Sequence, residues 1–242
     1  MSRLIAGGIH LFLSLLVGLA LLTMCWFVWY PAPMLLAIGG QGIFLLIVGI
    51  DVVLGPLLTL IVFKSGKPSL KFDLAVIATL QVAAMIYGIS SLLEARPVYV
   101  AALGDSFQVV QATEVTDANL TKAHARMPWF GPEWVGTKAP EDRYDIDAVD
   151  DVTKSGGGRG HFPQLHVPIE TVQLQNLLKA KAISELRKSK ATENRQIDKW
   201  LSSHGYNDDS VKFQPIKINA TTYVVMLDAK SGRAIGLLAV AI

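Results

Sequence analysis

IDVVLGPLLTLIVFK, Ile50 to Lys64, is an apolar run broken by one carboxylate, Asp51, and one glycine–proline pair, Gly55–Pro56, and closed by a lysine. Extended back to Leu45 it holds about twenty mostly apolar residues, enough to cross a hydrocarbon core of about 30 Å as a helix. A carboxylate inside such a span costs about 2.5–3.5 kcal/mol on insertion scales, so it is expected to face protein or water and not lipid tails. Pro56 has no N–H to give to Val52 and crowds that carbonyl, so a kink or loosened turn is expected just after the acid. Gly55 permits close approach of another helix.

Working outward, the N-terminal side holds Leu4 to Tyr30, an apolar run after Arg3 that is too long for a signal peptide and has no small-residue cleavage site before Pro31. It is expected to be a retained first span, with Trp26, Trp29 and Tyr30 as an interfacial belt. The stretch Pro31 to Gly42, uncharged and bounded by helix breakers, is expected to be a short connection or partly re-entrant turn. On the C-terminal side, Lys64 to Lys71 supplies a loop with three lysines, and Phe72 to Leu93 is a third span. Arg3 and the three loop lysines fall on one side, which by the positive-inside rule is the cytoplasm. The rest of the chain then lies outside, in a bacterium in the periplasm.

Helix rise places Asp51 about 18 Å, Gln81 about 14 Å, Ser14 about 15 Å and His10 about 9 Å above the cytoplasmic ends. Asp51, Gln81 and Ser14 can therefore meet, while His10 is nearer Thr59. Three roles stay open for the acid: hydrogen-bonded glue among the three helices, a grip on a partner's helix, or proton or ion transfer. Intramembrane proteolysis needs two carboxylates sharing a proton, and Asp73, at the cytoplasmic rim beside Lys71, lies about 16 Å below Asp51, too far to join it.

Composition divides the chain in the same way. Hydrophobic residues make up 51% and charged residues 17% of the 242 positions, with the apolar excess in the first 95. Residues 1–95 form a three-span region, and 97–242 are long enough for one α+β domain with its own core. A net charge of +2 argues against a nucleic-acid footprint. The single cysteine, Cys25, lies in the first span, so no intrachain disulfide can brace the outer domain.

In that domain, Val98–Val100 and Phe107–Val110 read as a hairpin turning at Gly104–Asp105, and Thr116 or Asp117 caps a short helix. Arg126 to Pro140 breaks regularity with three prolines. Its Trp129, Phe130 and Trp134 form either a binding surface or the edge of a core. Six acids crowd Glu141 to Asp151, but their spacing fails a calcium loop, so a solvated acidic face is expected. Lys154 to Pro168 is expected to be a flexible glycine stretch. It is no phosphate cradle, since no Gly-Lys-Ser/Thr follows the glycines, and its His161 and His166 have no neighbouring third ligand. From Val172 to Lys188 the helical period predicts one long amphipathic helix, and Ile197, Trp200 and Leu201 a shorter one stopped by Gly205. The chain ends in VKFQPIKI, TTYVVMLDA and RAIGLLAVAI, an antiparallel meander, and an antiparallel sheet is expected overall.

FVWYPAP (Phe27–Pro33), GIDVVLGPLLTLIVF (Gly49–Phe63), KPSLKFDLAVIA (Lys67–Ala78) and RPVYV (Arg96–Val100) together resemble the TfpX/TfpZ family of type IV pilin accessory proteins, FimB-like inner-membrane proteins. The resemblance implies a three-span protein that helps one major pilin to be stable and to assemble, without enzymatic activity or cofactor. Its partners would be a type IV major pilin, the lipid bilayer and other pilus assembly proteins. The candidate partner-binding residues are Asp51, Gly55, Pro56 and Gln81 in the spans and Trp129, Phe130 and Trp134 outside them; no catalytic or metal site is expected. A second reading, a periplasmic sensor signalling through a separate partner, rests on VVMLDAKSGRAIG, which resembles the closing hairpin of PAS-like domains.

Overall fold

In the computed structural model, which describes residues 2–242, the chain divides into two compact units. The first comprises the residues up to Pro31 and those from Gly39 to Arg96; the second comprises Ala32–Ile38 and Pro97–Ile242.

Three helices in the first unit are long and apolar enough to cross a membrane: Arg3–Trp29, Gly40–Val62 and Leu70–Ala95. Their outward side chains, among them Phe12, Leu45, Ile61 and Leu80, are exposed and apolar, as a lipid-facing surface requires. Contact between helices is made through small notches. A side chain at Gly7 would collide with Leu60, and one at Gly88 with Ile47, so each glycine admits a bulky residue of the neighbouring helix. His10 Nδ1 lies 2.6 Å from Thr59 Oγ1, the pairing that helix rise favours, and the Tyr30 hydroxyl donates to the Leu92 carbonyl at 2.6 Å.

The second unit is built on a mixed sheet in the order β4-β3-β1-β2-β6-β7-β8. Its strands are β1 (Pro97–Ala102), β2 (Phe107–Gln111), β3 (Glu133–Thr137), β4 (His166–Pro168), β6 (Val211–Ile218), β7 (Thr221–Asp228) and β8 (Ala234–Leu238), with the two-residue β5 (Lys181–Ala182) beside β6. The expected β1–β2 hairpin and β6–β7–β8 meander are both antiparallel. The sheet as a whole is not: β3 runs parallel to β1, and β6 runs parallel to β2 over Phe107↔Ile216 and Gln108↔Lys217. These long-range pairings fuse two local hairpin systems into one sheet, and no periodicity within either strand encodes them.

Alternate residues of the central strands enter opposite layers. Val225 and Leu227 join Val100, Phe107, Ile216 and Ile218 on one face, while Val224 and Met226 join Phe213, Ile183, Leu186, Ile197 and Leu201 on the other. Helices Ile183–Ser189 and Asn194–His204 supply that second layer. Gly205 closes the latter with φ of 72°, a left-handed cap that favours glycine.

Three expectations need correction. Pro31 to Gly42 is more than a connection: it contains the helix Met34–Ile38, whose Met34 is buried in the first of these layers. The single amphipathic helix from Val172 to Lys188 is two, Gln173–Lys179 and Ile183–Ser189, separated by an extended break where Lys181 and Ala182 pair with Phe213 and Lys212. Backbone pairing to β6 there overrides a helical pattern worth only tenths of a kcal/mol per residue. The acidic stretch forms the helix Arg143–Lys154, with the Asp142 side chain as its N-cap. Most of its acids are solvated, but Asp145 is buried, 2.8 Å from Lys122 Nζ and accepting from Gln164 Nε2 at 3.1 Å.

Candidate partner-binding site

Asp51 sits inside a π-helical run, Gly49–Leu54, in the middle of the second long helix. The Gly55 N–H donates to the Ile50 carbonyl, five residues back, and regular α-helix resumes at Gly55–Val62. The loosening that Pro56 imposes is therefore absorbed by a widened turn on its N-terminal side. It begins before the acid, not after it as the sequence suggested. A π-bulge turns the side chains within it out of their α-helical register, and such bulges concentrate at functional positions.

Here the widened turn directs Asp51 toward the third helix. The side chain of Asp51 is buried, and Gln81 Nε2 lies 3.4 Å from both its carboxylate Oδ1 and its backbone carbonyl. Gly55 provides the room, since a Cβ there would fall on the Gln81 amide. Three of the four span candidates, Asp51, Gly55 and Gln81, thus meet at one place, and Pro56 shapes it from one residue away. Ser14 is buried, yet its hydroxyl does not hydrogen-bond Asp51.

The hydrogen bonding is incomplete. A carboxylate has about four lone-pair sites, and among the described residues Asp51 receives one side-chain donor, shared with its own carbonyl. Both contacts lie beyond the usual 2.7–3.2 Å, so they are weak. Asp73, by contrast, is fully engaged at the start of the third helix, 2.6 Å from Lys67 Nζ and 3.1 Å from Ser69 Oγ.

The aromatic candidates of the second unit separate. Trp134 lies in β3, not in a loop; it packs edge-on to Phe107 with ring centroids 5.9 Å apart and borders the core. Trp129 and Phe130 are exposed, at 60% and 78%. The two histidines are each tied into the second unit. His166 Nε2 donates to the Gly160 carbonyl at 2.9 Å and meets the Tyr99 ring edge-on, and His161 receives the Gln108 amide at 2.7 Å. Burial holds both imidazoles below the ordinary histidine pKa, and burial pushes the Tyr99 phenol up to about 12.

Similarity to known proteins extends over most of the chain. Fimbrial assembly proteins of Dichelobacter nodosus serogroups E1 and I are each 29% identical to it over 230 residues, 92% of this chain and 89% of theirs. That of serogroups C1 and C2 is 38% identical over 119 residues, 48% of this chain and 91% of its own length. The chain belongs to the fimbrial assembly protein family. No family model matches it. No solved structure matches it either. In this member of the family, Asp51 and Gln81 could be brought together from sequence by depth along helices. The notches at Gly7 and Gly88 could not, because a glycine among apolar residues does not announce which neighbour it admits.

Proposed function

We propose that this fimbrial assembly protein is a non-enzymatic inner-membrane accessory factor that holds a type IV major pilin before or during its incorporation into a fimbrium. Its N-terminus and the Lys64–Lys71 loop lie in the cytoplasm and its second unit in the periplasm. The names of its relatives support a role in fimbrial assembly, and its three apolar helices support residence in a bilayer. They lend nothing to the sensor reading.

The observation that carries the proposal furthest is the under-coordinated Asp51 beside a glycine notch and a π-bulge. In hydrocarbon an incompletely paired carboxylate is costly, and a donor on a partner's membrane helix would relieve it. The site therefore fits a subunit that carries its own apolar helix. The test is affinity purification of the full chain from gently solubilised membranes of fimbriated cells. Recovery of the major fimbrial subunit in saturable amounts is the expected result. Its absence, with the chain itself present at normal abundance, would overturn the proposal.

A further inference from the structure

A cavity of about 600 Å³ opens in the second unit, walled by Gln108, Glu114, His161, Gly157, Lys217 and Asn219. It lies where β2 and β6, after only two paired positions, cease to pair. The 3-10 turn Ala112–Glu114 forms one wall, and the end of helix Arg143–Lys154 with the glycines after it forms the other.

The cavity is held in shape by its glycines. A Cβ at Gly157 would strike Val152 and the His161 ring, and one at Gly158 would stand 2.9 Å from Gln108 Oε1. The glycine stretch is therefore a close-fitting wall and not a loose tether. At its base Gln108 is 5% exposed and donates to His161 Nε2, which leaves the proton of the neutral imidazole on Nδ1. The Gln108 Oε1 atom has no hydrogen-bond partner among the described residues. The amide oxygens of Gln164, Asn176 and Gln214 are likewise without a partner among the described residues, so it is the charged groups at the rim, and not this atom, that point to a ligand.

Two opposite charges face the opening, each with bonding capacity to spare. Glu114 accepts the Gln111 backbone N–H at 2.7 Å through Oε2, which among the described residues leaves its other oxygen unused, and His161 Nε2 stands 3.9 Å away. Lys217 spends one of its three N–H bonds on the Gly156 carbonyl. The remaining acid of the lining, Asp151, is engaged by Lys154 at 2.8 Å. The volume falls in the range of small-molecule sites, and the wall offers a few convergent polar groups over an apolar base of Val109 and Val152.

We propose that this cavity binds a small zwitterion, an α-amino acid or short peptide, with its carboxylate on Lys217 and its ammonium group on Glu114. A ligand with a single charge would satisfy only one of the two rim groups. The Gln108–His161 pair at the base would read the polar part of the side chain. Binding of this kind is independent of the span site and of the identity of the fimbrial partner.

The experiment is a thermal-shift panel on the full chain in detergent, with each of the common amino acids and with Gly-Gly and Ala-Ala as probes. At about 100 times its Kd, a true ligand raises the melting temperature of the second unit by about 5–10 °C. Lys217→Met and Glu114→Gln, both at partly exposed positions and expected to fold, should each remove most of that shift, and a response to the dipeptides alone would identify a peptide as the source. No response from any probe would overturn the proposal. So would a response that survives in both variants, since the ligand would then sit elsewhere.

Discussion

Asn219, in the turn between β6 and β7, donates its side-chain amide to the carbonyl of Ile38, 181 residues earlier, at 3.1 Å. Its own amide oxygen accepts from Gln111 Nε2, so one side chain ties the Met34–Ile38 helix to two strands. That helix brings Met34, 1% exposed, into the core with Phe107, Ile216 and Leu227. The second unit thus completes itself with a segment drawn from between the first two long helices. Met34→Ala is expected to destabilise the second unit by about 2–5 kcal/mol. A secreted fragment 97–242 should melt below the same fragment preceded by residues 32–38 on a flexible linker. Equal melting temperatures would show that the segment adds nothing to the core.

The long helices were legible because a bilayer constrains length and composition so strongly: a run of about twenty apolar residues has few alternatives. Depth along those helices likewise foretold the Asp51–Gln81 and His10–Thr59 pairings. What stayed hidden was long-range. Trp134 sits between prolines and glycines that suggest a loop, and long-range pairing with β1 on one side and β4 on the other makes Glu133–Thr137 a strand. Likewise Leu174 and Leu178 continue the helical stripe that includes Ile183 and Leu186, yet the first two are exposed and the last two buried. The break at Ala180–Ala182 turns one helix away from the layer that the other enters.

The half-buried histidines set an acid limit on the second unit. Burial keeps His161 and His166 below the ordinary value, so the folded form binds fewer protons than the unfolded one as pH falls. The sign follows: their contribution is fully present above the unfolded value of about 6.5 and is lost as pH falls through and below it. Chemical-denaturation midpoints measured between about pH 7 and pH 5 should decline, and His161→Gln with His166→Gln should flatten that decline. An unchanged slope in the double variant would assign the acid sensitivity to the carboxylates instead.

Topology is open to direct measurement. In a Cys25→Ser background, cysteines placed singly at Ser65 and Ser155 report on the lysine loop and on the second unit. An impermeant thiol reagent applied to intact spheroplasts should label Ser155→Cys and spare Ser65→Cys. The reverse pattern would invert the orientation.

The notch at Gly55 makes a coupled prediction. Gly55→Ala puts a methyl group where the Gln81 amide lies, an overpacking that costs about 1–3 kcal/mol. Gln81→Ala empties the same space at the expense of the Asp51 contact. The double variant should therefore be more stable in detergent than the sum of the two losses implies, with an interaction energy of about 0.5–3 kcal/mol in a double-mutant cycle. Strict additivity would mean that Gly55 and Gln81 do not share the site.

Asp51 offers the sharpest distinction between a helix-packing residue and a partner contact. Among the described residues its side chain gains only the long Gln81 hydrogen bond, so Asp51→Asn, which keeps the size and one acceptor, should leave the abundance and stability of the chain nearly unchanged. A partner's donor or positive group meeting the carboxylate would form a hydrogen bond of about 1.5–3 kcal/mol, which the amide cannot match. Loss of that bond corresponds to roughly a 10- to 100-fold weaker complex. Co-purification of the fimbrial subunit with wild type, Asp51→Asn and Asp51→Leu, each normalised to the chain recovered, reads this directly. Packing alone predicts equal recovery for wild type and Asp51→Asn. A partner contact predicts a fall with Asp51→Asn and a deeper one with Asp51→Leu, which removes the acceptor altogether. Full recovery with both variants would leave Asp51 as a residue that holds helices together and nothing more.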